Sequence, residues 1–150
     1  MSKWRGRTRV PGKDEWVGYE ADLDVRYAHR LLFGKTIEEV QQHFAGGRSI
    51  ERADELLFMP RGAFRYYVQA FARFVLSDDG RGDSDAASSF LNLLGNREER
   101  DPGSVAEIYE DLEEAVAFVG AHQEYFEAEP AIYGSFSEKV ERIRAMCGRP

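Results

Sequence analysis

Between Leu56 and Ser77, large apolar residues recur at steps of three and four: Phe64, Tyr67, Val68, Phe71, Phe74 and Val75. At about 100° per residue they form one stripe, which predicts a core-facing helix over about 60–77. Pro60 suits its entrance, where no N–H donor is needed and φ is already set. Arg61, Arg65, Gln69 and Arg73 fall on the flanking face, where solvent is expected. Large aromatic rings bury on the order of 150–250 Å² each, so this helix is expected at the middle of the core.

Before it, Trp16 and Tyr19 lead into a helix expected over 19–33. Its apolar row is Leu23, Tyr27 and Leu31, with Ala28 and Leu32 alongside and Gly34 as a left-handed stop. Thr36 and Glu39 have the spacing of a capping box, followed by an apolar edge of Ile37, Val40 and Phe44 up to Gly46-Gly47. Ser49 is placed to cap a helix carrying Ile50, Ala53, Leu56 and Leu57. After the central helix, Asp83 or Ser84 opens another with Phe90, Leu91, Leu93 and Leu94, which Gly95 is expected to end. Ser104 and Glu107 match a second capping box, opening an acidic helix to about Tyr125. Pro130 and Gly134 bracket a loop or short turn. Ser135 and Glu138 match a third box, for a last helix with Val140, Ile143 and Met146.

No stretch sustains a period of two, and neither an internal repeat nor a linker interrupts the chain. The expected architecture is all-α, a single compact domain of six or seven helices in an irregular bundle around the aromatic helix. An edge hairpin between Trp4 and Tyr19 is the one β element left open.

Composition sharpens this in three ways. With 150 residues, 43% hydrophobic and 31% charged, the chain is the size and make-up of one globular domain. No apolar run approaches the roughly 18–20 residues of a membrane span, and the first residues lack the apolar region of a secretory signal. Cys147 is the only cysteine, which excludes an intramolecular disulfide and agrees with a reducing compartment, so a cytoplasmic protein is expected.

Charge is distributed unevenly. Residues 1–13 hold Lys3, Arg5, Arg7, Arg9 and Lys13 with no acid, while the whole chain has a net charge of −7. This divides it into a basic N-terminal arm (1–13) and a helical domain (14–150). Between Asp101 and Glu129 there are nine acids and no lysine or arginine. Such a surface repels nucleic acid and favours a basic protein partner.

Motifs for chemistry fail on their spacing. Gly34-Lys35-Thr36 lacks the earlier glycine and the strand of a phosphate-binding loop, since His29 stands where that glycine belongs. The aspartates at 78, 79, 83 and 85 do not fit a calcium loop, whose Gly and Glu positions hold Ser84 and Phe90. His29, His43 and His122 are isolated, Cys147 has no histidine nearby, and no serine sits in a nucleophile elbow. No catalytic residue, metal or cofactor is implied.

Two constellations remain. Glu107, Glu110, Asp111 and Glu114 follow i, i+3, i+4, i+7, one carboxylate face with Phe118 near the same helical angle. An aromatic ringed by charge is the pattern of an interface anchor. On the central helix, Tyr66 and Arg73 lie close in angle, off the apolar stripe, and form a second expected contact pair. This points to a non-enzymatic binding module that engages a basic partner. In class alone it resembles the immunity or antitoxin partners of bacterial toxins. The alternative uses Glu107-x-x-Glu110 and Glu124-x-x-Glu127 as Mg²⁺ ligands. That arrangement resembles the all-α nucleotide pyrophosphohydrolases, although residues 101–129 supply none of that family's supporting lysines. A homodimer built on the aromatic helix is a third possibility.

Overall fold

Residues 9–149 are described by a computed structural model, which folds them into seven α-helices, one isolated α-helical turn and four short 3-10 turns. The helices are α1 (Leu23–Leu32), α2 (Ile37–Gln41), α3 (Ser49–Phe58), α4 (Arg61–Leu76), α5 (Ser84–Arg100), α6 (Tyr109–Ala121) and α7 (Phe136–Met146). The single turn spans Pro130–Tyr133, inside the segment that Pro130 and Gly134 bracket. No strand occurs among the described residues, and Trp4 and most of the basic arm lie outside them. Within the described part, Pro11 is buried and Val10 packs against the core.

Helix α4 is the axis of the bundle, packed by α2, α3, α5 and α6. Its predicted stripe is fully buried: Phe64, Tyr67, Val68, Phe71 and Val75 have no exposure and Phe74 has 1%. Phe71 stacks on Phe44 at 4.4 Å and meets Phe90 edge-on at 5.3 Å, joining α4 to the segment after α2 and to α5. Burial of these rings removes the surface on which an aromatic-helix homodimer would be built.

Tyr66 departs from expectation. It is 4% exposed, and its hydroxyl accepts from the Ile37 N–H at 3.1 Å, so it serves the first turn of α2 rather than a partner. The neighbouring Tyr67 hydroxyl reaches the carbonyls of Leu32 (2.7 Å) and Lys35 (2.9 Å). Burial raises the pKa of both phenols. Two adjacent tyrosines thus stitch the α1–α2 connection onto α4. The Thr36–Glu39 capping box forms in full, with Glu39 N–H to Thr36 Oγ1 at 3.2 Å and Thr36 N–H to Glu39 Oε1 at 2.9 Å.

Three other caps differ from the pattern. Ser49 is the first helical residue of α3, with a buried hydroxyl, rather than its N-cap. Ser135 accepts from the Glu138 N–H, but the reciprocal half of that box is missing. Ser104 caps nothing; its hydroxyl accepts from Arg97 Nε at 3.2 Å. The acidic helix accordingly starts at Tyr109, after a 3-10 turn at Ala106–Ile108, and stops at Ala121.

Gly95 does not end α5, which continues to Arg100. One interior glycine costs only about 1 kcal/mol, and the last turn of α5 carries two buried ionic anchors that outweigh it. Arg97 is 4% exposed. Its Nη1 donates to the carbonyls of Met59 (2.6 Å), Leu57 (2.8 Å) and Leu56 (3.3 Å), and its guanidinium lies 4.4 Å from the Phe64 ring centre. Glu98 accepts from the N–H groups of Gly103, Val105 and Ala106 at 2.6–3.0 Å. One side chain closes the α3–α4 corner and the next closes the α5–α6 loop.

Replacing Arg97 with Met strands three carbonyls and is expected to cost about 3 kcal/mol in urea denaturation. A methyl on Gly120 of α6 would sit 2.6 Å from Val140 Cγ2 of α7. Gly120→Ala should therefore lower stability by ~1–3 kcal/mol. Gly95→Ala, whose nearest neighbour is the flexible tip of Arg142 at 3.4 Å, should be neutral or gain up to ~1 kcal/mol.

Candidate functional site

The residues singled out on α6 do not form one face. Glu107 lies in the 3-10 turn before the helix, largely buried, with its carboxylate 3.4 Å from Arg61 Nη1. Arg61 also holds Asp101 at 2.6 Å, and that hydrogen bond keeps the Asp101 carboxyl below its ordinary pKa. The guanidinium predicted to face solvent thus clamps the α5–α6 loop. Glu110, Asp111 and Glu114 are exposed. The first two occupy the first turn of α6, where a helix N-terminus favours negative charge. Phe118 turns into an aromatic cluster with His122 (4.3 Å), Tyr125 (5.4 Å) and Phe126 (5.8 Å), so it is no exposed anchor. Arg73 is exposed and pairs with Glu38 at 3.3 Å, while Tyr66 is buried.

The Mg²⁺ arrangement also loses its first pair. Glu107 is engaged by Arg61, while Glu124 and Glu127 lie in the turns beyond α6. Among the described residues no three His, Cys, Asp or Glu side chains converge as a metal site. Cys147 is buried, which raises its thiol pKa to about 11 and leaves it unreactive near neutrality.

An aromatic set among acids does exist, but between α1 and α3. The row Leu23, Tyr27 and Leu31 was expected in the core; α1 instead buries Val25, Ala28 and Leu32. These smaller residues let α1 approach its neighbours, and Leu23 and Tyr27 are left 73% and 49% exposed on the other side. Ile50, also expected inside, is 50% exposed, and Phe58 at the end of α3 is 38% exposed. Four of the seven large apolar side chains exposed among the described residues therefore belong to these two helices.

Tyr27 and Phe58 line a cavity of about 330 Å³ together with Asp24, Glu51, Arg52, Asp54 and Glu55. Asp54 also lines a second hollow between α3 and α5, with Ile50, Leu57, Ser89, Asn92 and Asn96. It thus stands on the ridge between the two. In the groove four carboxylates face one guanidinium. Arg52 contacts Glu55 at 2.9 Å and Glu51 at 3.6 Å, while Asp24 and Asp54 have no ion pair among the described residues. Both members of the Arg52–Glu55 pair are over nine-tenths buried. Desolvation pushes the Glu55 pKa up to about 7, Arg52 opposes this, and Glu51, Asp54 and Asp24 reinforce it.

Comparison with protein-family models, with curated proteins and with solved structures finds nothing that matches the chain.

A signal for this groove was present in the sequence: Asp24 beside Tyr27, and Glu51, Asp54 and Glu55 on the turns that carry Phe58. Choosing the bulkier of two apolar rows on α1 concealed it. Protonation provides a direct check. Because the folded-state pKa of Glu55 is raised, its contribution to stability is complete below about pH 4.5 and is lost as pH rises through about 7. Denaturation between those limits should show a loss on the order of 2–3 kcal/mol, and Glu55→Gln should flatten that slope.

Proposed function

We propose that the protein is a non-catalytic binding module for a basic protein partner, with the α1–α3 groove as its docking centre. The observation that carries this reading is the pairing of exposed Tyr27 and Phe58 with Asp24 and Asp54 around one concave surface. Apolar anchors supply the contact area that resists dissociation, and the surrounding carboxylates steer a cationic partner and set its register. Glu110, Asp111 and Glu114 of α6 extend the negative field, which adds to association rate more than to affinity. The flanking cations refine the demand on the partner. Arg30 lies 6.0 Å from the Tyr27 ring centre and Arg100 lies 4.5 Å from that of Phe58, so one face of each ring is already occupied. A partner side chain must enter along the groove, between the rings, where the carboxylates are. The exposure of Leu23, next to Asp24 in sequence, and of Ile50, in the neighbouring hollow, suits a segment with apolar residues spaced among lysines and arginines.

The test is affinity capture from host lysate with the tagged chain, followed by measurement of the purified complex. A basic protein held at low salt and released at high salt is expected. Asp24→Lys with Asp54→Lys should weaken it at least about tenfold, roughly 1.4 kcal/mol. Glu110→Lys with Glu114→Lys should slow association with a smaller change in dissociation rate. Equal affinity for the wild type and the Asp24/Asp54 reversal would refute docking in this groove.

A further inference from the structure

The outer face of α1 has the charge pattern of a self-complementary surface. We propose that two copies of this chain pair through that face, parallel to each other about a two-fold axis that runs along the helix. The pairing belongs to the free protein and does not rest on the docking of a foreign partner. Two observations lead to it.

The first is an apolar seam that the fold leaves uncovered. Helix α1 turns Val25, Ala28 and Leu32 inward. Leu23 and Tyr27, one turn apart on the opposite side, are 73% and 49% exposed. Arg30 continues the seam by a further turn, with its guanidinium 6.0 Å from the Tyr27 ring centre. A leucine and a tyrosine at this spacing, both facing water, are the centre of a helix face that buries area only against another molecule.

The second is the sign of the charge on either side of that seam. At 3.6 residues per turn, Arg26 and Asp24 lie about 80° to opposite sides of its centre. Arg26 and Arg30 are exposed on the flank that leads round to His29, whose ring stacks on Tyr19 at 3.7 Å. Neither arginine has an ion pair among the described residues. Asp24 is on the flank towards α3, where Glu51 and Asp54 are exposed across the cavity and Arg52 is already committed to Glu55. A two-fold axis along α1 sets the cationic flank of each copy against the acidic flank of the other, twice over, and brings Leu23 and Tyr27 of both copies together at the axis. An axis across the helices would make them antiparallel and set like flank against like flank, arginine facing arginine. Charge therefore selects the parallel pair. Arg26 stands two residues beyond Asp24, ~3 Å along the axis, so the two are nearly level across the seam. Each copy contributes one ten-residue helix and the edge of α3, so the contact belongs to the small, transient class below about 1,200 Å². The second copy's arginines then occupy carboxylates that a basic partner would use, so pairing and docking compete.

Sedimentation equilibrium of the full chain over a concentration series, at low and at high salt, tests this. The wild type should self-associate to a dimer at low salt, and high salt should weaken the dimer at least about tenfold. Arg26→Glu/Arg30→Glu places acids on both flanks, and Asp24→Lys/Asp54→Lys places cations on the flank that was acidic. Each variant alone should be monomeric, and an equimolar mixture of the two should form a 1:1 dimer. Arg26→Gln/Arg30→Gln and Asp24→Asn/Asp54→Asn serve in their place should a reversal disturb folding; each should weaken self-association at least about fivefold. Leu23→Gln, at an exposed position, should weaken it with little change in the denaturation midpoint. A wild type that stays monomeric at low salt, a dimer that either reversal leaves intact, or reversed chains that remain monomeric when mixed would overturn the α1 pairing. A dimer that follows the expected pattern while no basic protein is captured from lysate would refute the foreign partner alone. Capture of such a protein by a chain that never self-associates would refute the dimer alone.

Discussion

A buried guanidinium holds the bundle's corner together. Removing an arginine from water is costly, and Arg97 is nearly fully removed, with desolvation bringing its pKa down to about 10. The charge persists at neutral pH because three carbonyls at the end of α3, the Asp101 carboxylate and the Phe64 face surround it. Those carbonyls are the ones an α-helix leaves without partners, at the negative end of its dipole. Satisfying them from α5 allows α3 to turn sharply into α4 within two residues, Met59 and Pro60. From that corner α4 runs through the bundle, and α2, α5 and α6 pack against it.

The same economy governs the opposite side of α4. Tyr66 and Tyr67 point their hydroxyls at backbone groups of the α1–α2 connection, so that loop is positioned by the central helix. Docking α1 there requires close approach, which its Val25, Ala28 and Leu32 face permits. The larger residues Leu23 and Tyr27 are then left outside, beside the carboxylates of α3. The groove is thus a by-product of how the core closes, and its exposed aromatics each carry one guanidinium of the same chain, Arg30 on Tyr27 and Arg100 on Phe58.

Acidic residues in this protein act in two distinct ways. Glu98, Asp101 and Glu107 are engaged within the fold, on backbone N–H groups and on Arg61. Asp24, Glu51 and Asp54 remain at the surface around Glu55, whose proton affinity reports their combined field. A cation brought into the groove would lower the Glu55 pKa, so binding there is linked to proton release near neutrality.

Local spacing determined much of this fold. The aromatic stripe of α4, the Pro60 boundary and the Thr36–Glu39 box depend only on helix periodicity and on contacts within one turn, and all three are present. Tertiary structure decided the rest. Gly95 failed to stop α5 because Arg97 and Glu98 find partners some 5–41 residues away, energy that no local propensity contains. Tyr66 was placed at the surface by its helical angle, yet α2 folds over it and gives its hydroxyl a backbone donor. Ser104 had the spacing of a cap, but a buried arginine claims its hydroxyl. On α1 two apolar rows competed, and periodicity alone cannot rank them; the neighbours' shape did. Sequence therefore specified which segments are helical and which residue types lie on each face. Which face turns inward, and hence where an acid and aromatic groove opens, depended on long-range packing and on buried charges seeking partners.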